Sequence, residues 1–222
     1  SGVSKSAVRR VSVCCMCGMF GGDSCSKDGE LGDAWGDAFC SSDLTTGEAP
    51  SLGLSLRMRY VEVAARQKKY GDLYVGISSF SLDDSIQLAR HAADHGADAV
   101  VATLPYFYQL TADQMVFYYQ QLADKSPLPL ILYNIPITTH VSIPLDVIDA
   151  LSHHPNIAGF KDSEQNDPRL IDALSRWKAR EDFSHFMGSA AKSSLALENG
   201  SDGIVPSAGN VEPVWYAKLL EK

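Results

Sequence analysis

From residue 73 onward the chain alternates two patterns of apolar and polar positions. Short, nearly unbroken apolar runs occupy 73–78, 97–104 and 128–132, the segment that leads into Lys161, and 183–188 and 203–206. Runs of this length, closed by a polar or turn residue, read as strands buried on both faces. Between them apolar residues recur at helical spacing. Ser81 is placed to cap a helix whose inner side carries Ile86, Ala89, Ala93 and Ala97. Thr111 and Gln114 form a capping-box pattern ahead of Met115, Tyr118, Tyr119 and Leu122. Further helices are expected over 144–152, around Leu170, Leu174 and Trp177, and between the last two strands. Strands alternating with helices imply a parallel sheet. Six clear strands, with room for two upstream, point to an α/β fold of the (β/α)8 TIM-barrel type. An open doubly wound sheet is the alternative, but the glycines of 18–22 lack the spacing and the following helix of a phosphate-binding loop.

Residues 1–43 break the pattern. They are rich in Ser, Gly, Cys and Asp, and only 8–13 offers a strand. The expected organisation is an atypical N-terminal segment over 1–43, in the place of a first strand, helix and second strand, followed by the rest of one barrel domain over 44–222. The chain stops inside the helix after the last strand, so a truncated C-terminal helical region is also expected. All five cysteines lie in the first forty residues, at Cys14, Cys15, Cys17, Cys25 and Cys40. An odd number with no familiar ligand spacing suggests reduced thiols in a cytoplasmic protein, without a disulfide framework or metal. Arg9 and Arg10 precede an apolar stretch at 11–20 that lacks a small-residue cleavage site, so a signal peptide is not expected. No apolar run approaches the roughly 18 residues of a membrane span. The net charge of -8 disfavours nucleic acid, because phosphate binding needs a basic face.

The chemistry gathers at two strand exits. Lys161 closes one apolar run, and Tyr133 closes the preceding one. Burial at such a place disfavours the ammonium, and the neutral amine is the form that attacks a ketone. A tyrosine at the neighbouring exit can carry protons to and from it. Taken singly, each has a structural alternative: a lysine that snorkels to water and a tyrosine that closes the core. The histidines offer less. His91 and His95 share a helix face four residues apart, but no third ligand is evident in the sequence and a solvated face is expected. His153 and His154 belong to a loop. His140, just beyond the Tyr133 strand, is a candidate for touching a polar substrate.

Five segments occur in one order and spacing: Thr45, Thr46, Gly47 and Glu48; Leu104, Pro105, Tyr106 and Phe107; Tyr133, Asn134, Ile135 and Pro136; Gly159, Phe160, Lys161, Asp162 and Ser163; and Gly203, Ile204 and Val205 followed by Asn210. In this the chain resembles the dihydrodipicolinate synthase and N-acetylneuraminate lyase family of pyruvate-type class I aldolases, over about residues 44 to 215. The resemblance implies that Lys161 forms a Schiff base with the 2-keto group of pyruvate or a 2-keto acid, and that Tyr133 moves the proton. It places Thr45 and Thr46 in the loop that receives the substrate carboxylate, near a helix N-terminus expected around Ser51, and Val205 where a strand presents its backbone to substrate. It implies no metal or organic cofactor, a small-molecule 2-keto acid as partner, and a homo-oligomer, tetramer or dimer.

Two departures narrow the expected activity. Phe107 stands where much of the family has a tyrosine that reaches a neighbouring subunit's site. Thr138 stands where the synthases carry an arginine for a second carboxylate, and threonine offers no bidentate charge pair. Asp162 and Ser163 after the lysine also look more like the sugar-acid aldolases. The reading is therefore a lyase cleaving or forming a C–C bond in a 2-keto-3-deoxy sugar acid, 4-hydroxy-2-oxoglutarate or sialic acid type of substrate. Condensation of the dihydrodipicolinate synthase type, or a non-catalytic keto-acid-binding relative, is the alternative.

Overall fold

The structure, a computed structural model, describes residues 14–15, 39–42, 45–68, 71–211 and 213–220. Its strands are β1 (Cys14–Cys15), β2 (Phe39–Ser42), β3 (Leu73–Gly76), β4 (Ala99–Ala102), β5 (Leu130–Asn134), β6 (Ile157–Asp162), β7 (Ser184–Met187) and β8 (Gly203–Ile204). They form one sheet in sequence order, and each pair is parallel. The helices are α1 (Leu54–Gln67), α2 (Leu82–Asp94), α3 (Ala112–Lys125), α4 (Pro136–Thr139), α5 (Leu145–Ser152), α6 (Asp167–Trp177), α7 (Ser193–Glu198) and α8 (Pro213–Leu220). From β2 onward, strand and helix alternate as in a β/α barrel. The short turn after β8, Ser207–Asn210, lies against β1, so the two ends of the sheet approach each other.

The expected elements are present with shorter cores. The strand expected over 97–104 is regular only at β4, and Ala97 lies beyond the end of α2 because Gly96 turns the chain at φ +76°. Ser81 accepts from the Asp84 amide, and the Thr111–Gln114 capping box forms in both directions. The strand expected at 8–13 falls outside the described residues; β1 follows it at Cys14–Cys15.

Alternation along the strands sorts the core into two layers. Tyr74, Ala99, Val101, Ile131, Tyr133, Ala158, Phe186 and Val205 pack together on the inner face of the sheet. Val75, Val100, Leu130, Leu132 and Phe160 face outward and pack under Leu88, Leu122, Ile148 and Trp177 of the helices. One irregularity decides which layer receives the lysine. Leu130 pairs with Ile157, but Ile131 pairs with Gly159, so β6 gains one residue on β5. Strict alternation from Ala158, which faces inward, would turn Lys161 outward. The bulge resets the count, and Lys161 pairs with Tyr133 on the inner face. Gly159 permits this, because a Cβ there would meet the Ser184 carbonyl oxygen of β7 at 2.7 Å.

Candidate active site

Lys161 and Tyr133 meet at the C-terminal ends of β6 and β5, where β/α barrels carry their chemistry. Both are buried. The Lys161 Nζ lies 4.1 Å from the centre of the Tyr133 ring. The Tyr133 hydroxyl is approached by Thr45 Oγ1 and Ser163 Oγ, each at 3.4 Å, distances at the long end for hydroxyl pairs. Burial alone would push the Tyr133 hydroxyl up. The positive charge of Lys161, with hydrogen bonds from Ser163, Thr45 and Lys161, outweighs it and holds the phenol below its ordinary range. A tyrosine so placed gives up its proton more readily than a free phenol.

Gly188 is a component that sequence reasoning did not single out, and Ser163, noted there only as part of the motif after the lysine, proves to approach the Tyr133 hydroxyl. Any side chain at Gly188, just past β7, would collide with the Ser163 hydroxyl and approach the Lys161 Cε to 3.2 Å. The missing Cβ leaves room for both. The spacing around Lys161 gives no sign of this, because Gly188 comes from the next strand.

One register step further on, Asn134 and Asp162 form the outward pair. Asp162 is buried. It receives the Asn134 amide at 2.8 Å, the Glu164 N–H at 2.9 Å and Arg169 Nε at 3.0 Å. Arg169 also donates to the Ile143 carbonyl, and Asn134 accepts from the Ile143 N–H. Glu164 accepts from Ser142 at 2.6 Å. The network fastens the loop after α4 to the end of β6. Burial pushes the Asp162 carboxyl up in spite of Arg169 and the other donors.

A cavity of about 520 Å³ opens beside Tyr133. Its wall includes Thr45, Tyr133, Tyr106, Thr138, Arg57 and Ile135. Lys161 is not part of the wall; it lies behind the Tyr133 ring. Arg57, buried on α1, brings a guanidinium to the wall and donates to the carbonyls of Ser78 and Gly76 at 2.7 and 3.1 Å. Residues 45–48 form a tight turn, with the Glu48 N–H on the Thr45 carbonyl and Glu48 itself at φ +55°. The helix expected near Ser51 is a short 3-10 turn there, and α1 begins after Gly53.

The other candidates separate. Val205 packs in the inner cluster with Tyr133 but does not line the cavity. Thr138 lies at the rim, its hydroxyl on the Ile135 carbonyl. His140, in the left-handed conformation at φ +55°, is exposed and is not part of the wall. Phe107 is 73% exposed and stacks edge-on with Tyr108 and Phe80; its neighbour Tyr106 faces the cavity instead. Thr46 belongs to the same turn as Thr45, but its side chain lies outside the described residues. Among the described residues no helix is long and apolar enough to cross a membrane.

Comparison with known proteins agrees with the fold. A curated 4-hydroxy-tetrahydrodipicolinate synthase from Campylobacter hominis is 31% identical over 180 residues, which is 80% of this chain and 59% of the relative. The dihydrodipicolinate synthase structure from Bacteroides thetaiotaomicron superposes with a TM-score of 0.77 at 34% identity, covering 83% of this chain and 62% of that one. YagE, an E. coli K12 prophage protein of the dihydrodipicolinic acid synthase family in complex with pyruvate, gives a TM-score of 0.79 at 26% identity, covering 82% and 62%. The chain thus spans about three fifths of the length of the curated relatives, 59% of the first. The dihydrodipicolinate synthetase family model matches residues 40–222. That match runs through β3 to β8 and both strand ends that carry Lys161 and Tyr133, and the chain belongs to the dihydrodipicolinate synthetase family.

Proposed function

We propose that the protein is a class I, Schiff-base aldolase acting on pyruvate or a 2-keto acid, built on a closed (β/α)8 barrel whose first strand, helix and second strand fall within 1–43. The observation that carries the reading is the buried Lys161 amine 4.1 Å from the ring of Tyr133. The amine adds to the 2-keto carbon, water leaves, and a protonated imine remains. Its positive nitrogen draws the electron pair of the breaking C–C bond, while Tyr133 takes the proton from the departing hydroxyl. The enamine left behind is reprotonated, and water releases the keto acid. Tyr133 suits the proton step because the charge of Lys161 opposes its burial. Thr45 supports the hydroxyl of Tyr133 and, with Thr46, receives the substrate carboxylate. Val205 lies beside Tyr133 in the inner layer, and its strand presents backbone to the bound keto acid. No metal or organic cofactor takes part.

The preferred substrate is a 2-keto-3-deoxy sugar acid or 4-hydroxy-2-oxoglutarate, because Thr138 at the cavity rim offers no cation for a second carboxylate. Condensation of the dihydrodipicolinate synthase type is the second reading, and Arg57 favours it by bringing a guanidinium to the same wall. Comparing kcat/KM for the two aldol substrates and for pyruvate with aspartate semialdehyde separates the readings. A cytoplasmic homo-oligomer belongs to the same proposal. Its supporting feature is the exposed aromatic group of Phe80, Phe107 and Tyr108.

Borohydride reduction in the presence of pyruvate tests the chemistry directly. A stable adduct on Lys161, lost in Lys161→Ala, is expected. Modification at Lys192 or elsewhere, with Lys161 untouched, would reject the assignment.

A further inference from the structure

His91 and His95 lie on one face of α2, and the fold brings a third group to them. α1 packs along α2. One ring nitrogen of each histidine and one carboxylate oxygen of Glu62, from α1, lie within 4.8 Å of one another. The two rings are 4.1 Å apart between centroids, and His91 Nε2 is 3.8 Å from Glu62 Oε1. His95 Nδ1 lies 2.8 Å from the His91 carbonyl oxygen. A carbonyl only accepts, so Nδ1 carries the proton and Nε2 presents its lone pair. A backbone carbonyl that fixes the tautomer in this way is the usual outer support of a metal-binding histidine. His91 Nε2 lies 3.0 Å from the Met58 carbonyl. A cation taking Nδ1 keeps that bond, and one taking Nε2 replaces it. His95 is also the C-cap of α2, where the helix end carries partial negative charge. The opposing group is Arg59, which holds Glu62 Oε2 at 2.6 Å; its side chain is 60% exposed, and Oε1 remains on the side of His91.

We propose that Glu62, His91 and His95 bind a divalent cation of the zinc class that ties α1 to α2, at a site apart from Lys161 and Tyr133. Two imidazoles and one carboxylate suit zinc or a neighbouring late transition ion better than magnesium or calcium, which prefer all-oxygen shells. A water completes a four-coordinate shell. A histidine pair on a helix is common on a solvated face. This one differs in having a ligand from a second helix and, at His95, a preset tautomer.

Zinc titration of the full chain by calorimetry, beside His95→Gln and Glu62→Gln, tests the site. The unsubstituted chain should bind one equivalent more than either variant, or bind it about 10- to 100-fold more tightly. Its melting temperature should rise with zinc by more than that of the variants, and magnesium at equal concentration should give no such difference. Any zinc held by the cysteines is common to all three proteins and cancels in the comparison. Equal stoichiometry, affinity and zinc-induced stabilisation in the three proteins would overturn the proposal.

Discussion

At the ends of β5 and β6 two cross-strand pairs stand one residue apart and are held in opposite ways. The outer pair, Asn134 and Asp162, is saturated: short bonds from an amide, a backbone N–H and a guanidinium meet one buried carboxylate. The inner pair, Tyr133 and Lys161, is held loosely. Its hydroxyl partners are at 3.4 Å, and the lysine rests over a ring. Burial acts on both pairs, but the donors differ in reach. A cation stands beside each: Lys161, with the hydroxyl donors, outweighs burial around Tyr133, whereas around Asp162 burial prevails in spite of Arg169. Under the proposed function the contrast separates a frame from a working pair. The outer residues spend their bonding capacity on fixing the strand ends and the loop over the cavity. In the proposed reaction the inner residues keep capacity for a substrate.

The sharpest way to test the contrast is to remove the tyrosine hydroxyl. Tyr133→Phe should lower turnover by about 10²- to 10⁴-fold, the scale for losing a general acid or base. The melting temperature should change little, because the hydroxyl's bonds are long and the ring remains to fill the inner layer. A large loss of stability with a proportionate loss of activity would make Tyr133 a core residue.

Much of this was legible before the fold was known. Strands buried on both faces write themselves as apolar runs, and a lysine and a tyrosine closing two such runs stand out against them. The capping box at Thr111 and Gln114 is local and was equally plain. What stayed hidden came from across the fold. Ser163 reads only as part of the motif after the lysine until Gly188, just past the next strand, clears space for it. Arg169 looks like a surface cation until α6 turns it onto Asp162. Glu62 lies far from His91 in sequence, and only helix packing joins them. The bulge at Gly159 was hidden for another reason: a register shift leaves the apolar pattern intact while changing which face each later residue takes.

Breaking the outer pair should damage the fold before the chemistry. Asp162→Ala takes the nearer carboxylate from the Arg169 guanidinium, 10% exposed, and leaves it Glu164 at 3.3 Å and the Ile143 carbonyl. Removing one partner of a buried ion pair typically costs about 3 to 5 kcal/mol. Denaturant unfolding should record a loss at or below the lower end of that scale, because Glu164 stays beside Arg169. The borohydride adduct at Lys161 should still form wherever the protein remains folded. Full stability in the variant would mean that Glu164 alone satisfies Arg169 and that the outer network is not a frame.

The bulge sets which pair faces inward, and Gly159→Ala strains it. The new Cβ would press on the Ser184 backbone, so β6 or β7 must shift. Overpacking of this kind costs about 1 to 3 kcal/mol. Trapping with pyruvate should fall further than stability does, because a displaced β6 moves Lys161 against Tyr133. Unchanged trapping at reduced stability would show that the bulge matters to packing alone.

The smallest effect concerns the outer layer next to this site. His185 of β7 pairs in register with Phe160, while its neighbour Phe186 pairs with Lys161 on the inner face. His185 is buried. Its Nδ1 lies 2.9 Å from Ser201 Oγ, its Nε2 has no hydrogen-bond partner among the described residues, and its ring packs edge-on with Phe160. Burial, with the charge of Arg169 adding to it, holds the imidazole down at about 3. The unfolded chain takes up this proton near pH 6.5, its ordinary value. Between those two values the unfolded state binds more protons than the fold, so stability falls as pH falls, by at most about 1.4 kcal/mol per pH unit from this group. Asp202, which accepts from the His185 N–H, works the other way. Burial raises its carboxyl, and the fold takes up that proton readily in acid. The difference between the unsubstituted chain and His185→Gln therefore isolates the histidine. The two stability curves should converge as pH falls from 6 to 4, with the variant losing less. Parallel curves would mean that the fold accepts a proton on His185, and that the layer behind Lys161 is wetter and more yielding than the contrast between the two pairs requires.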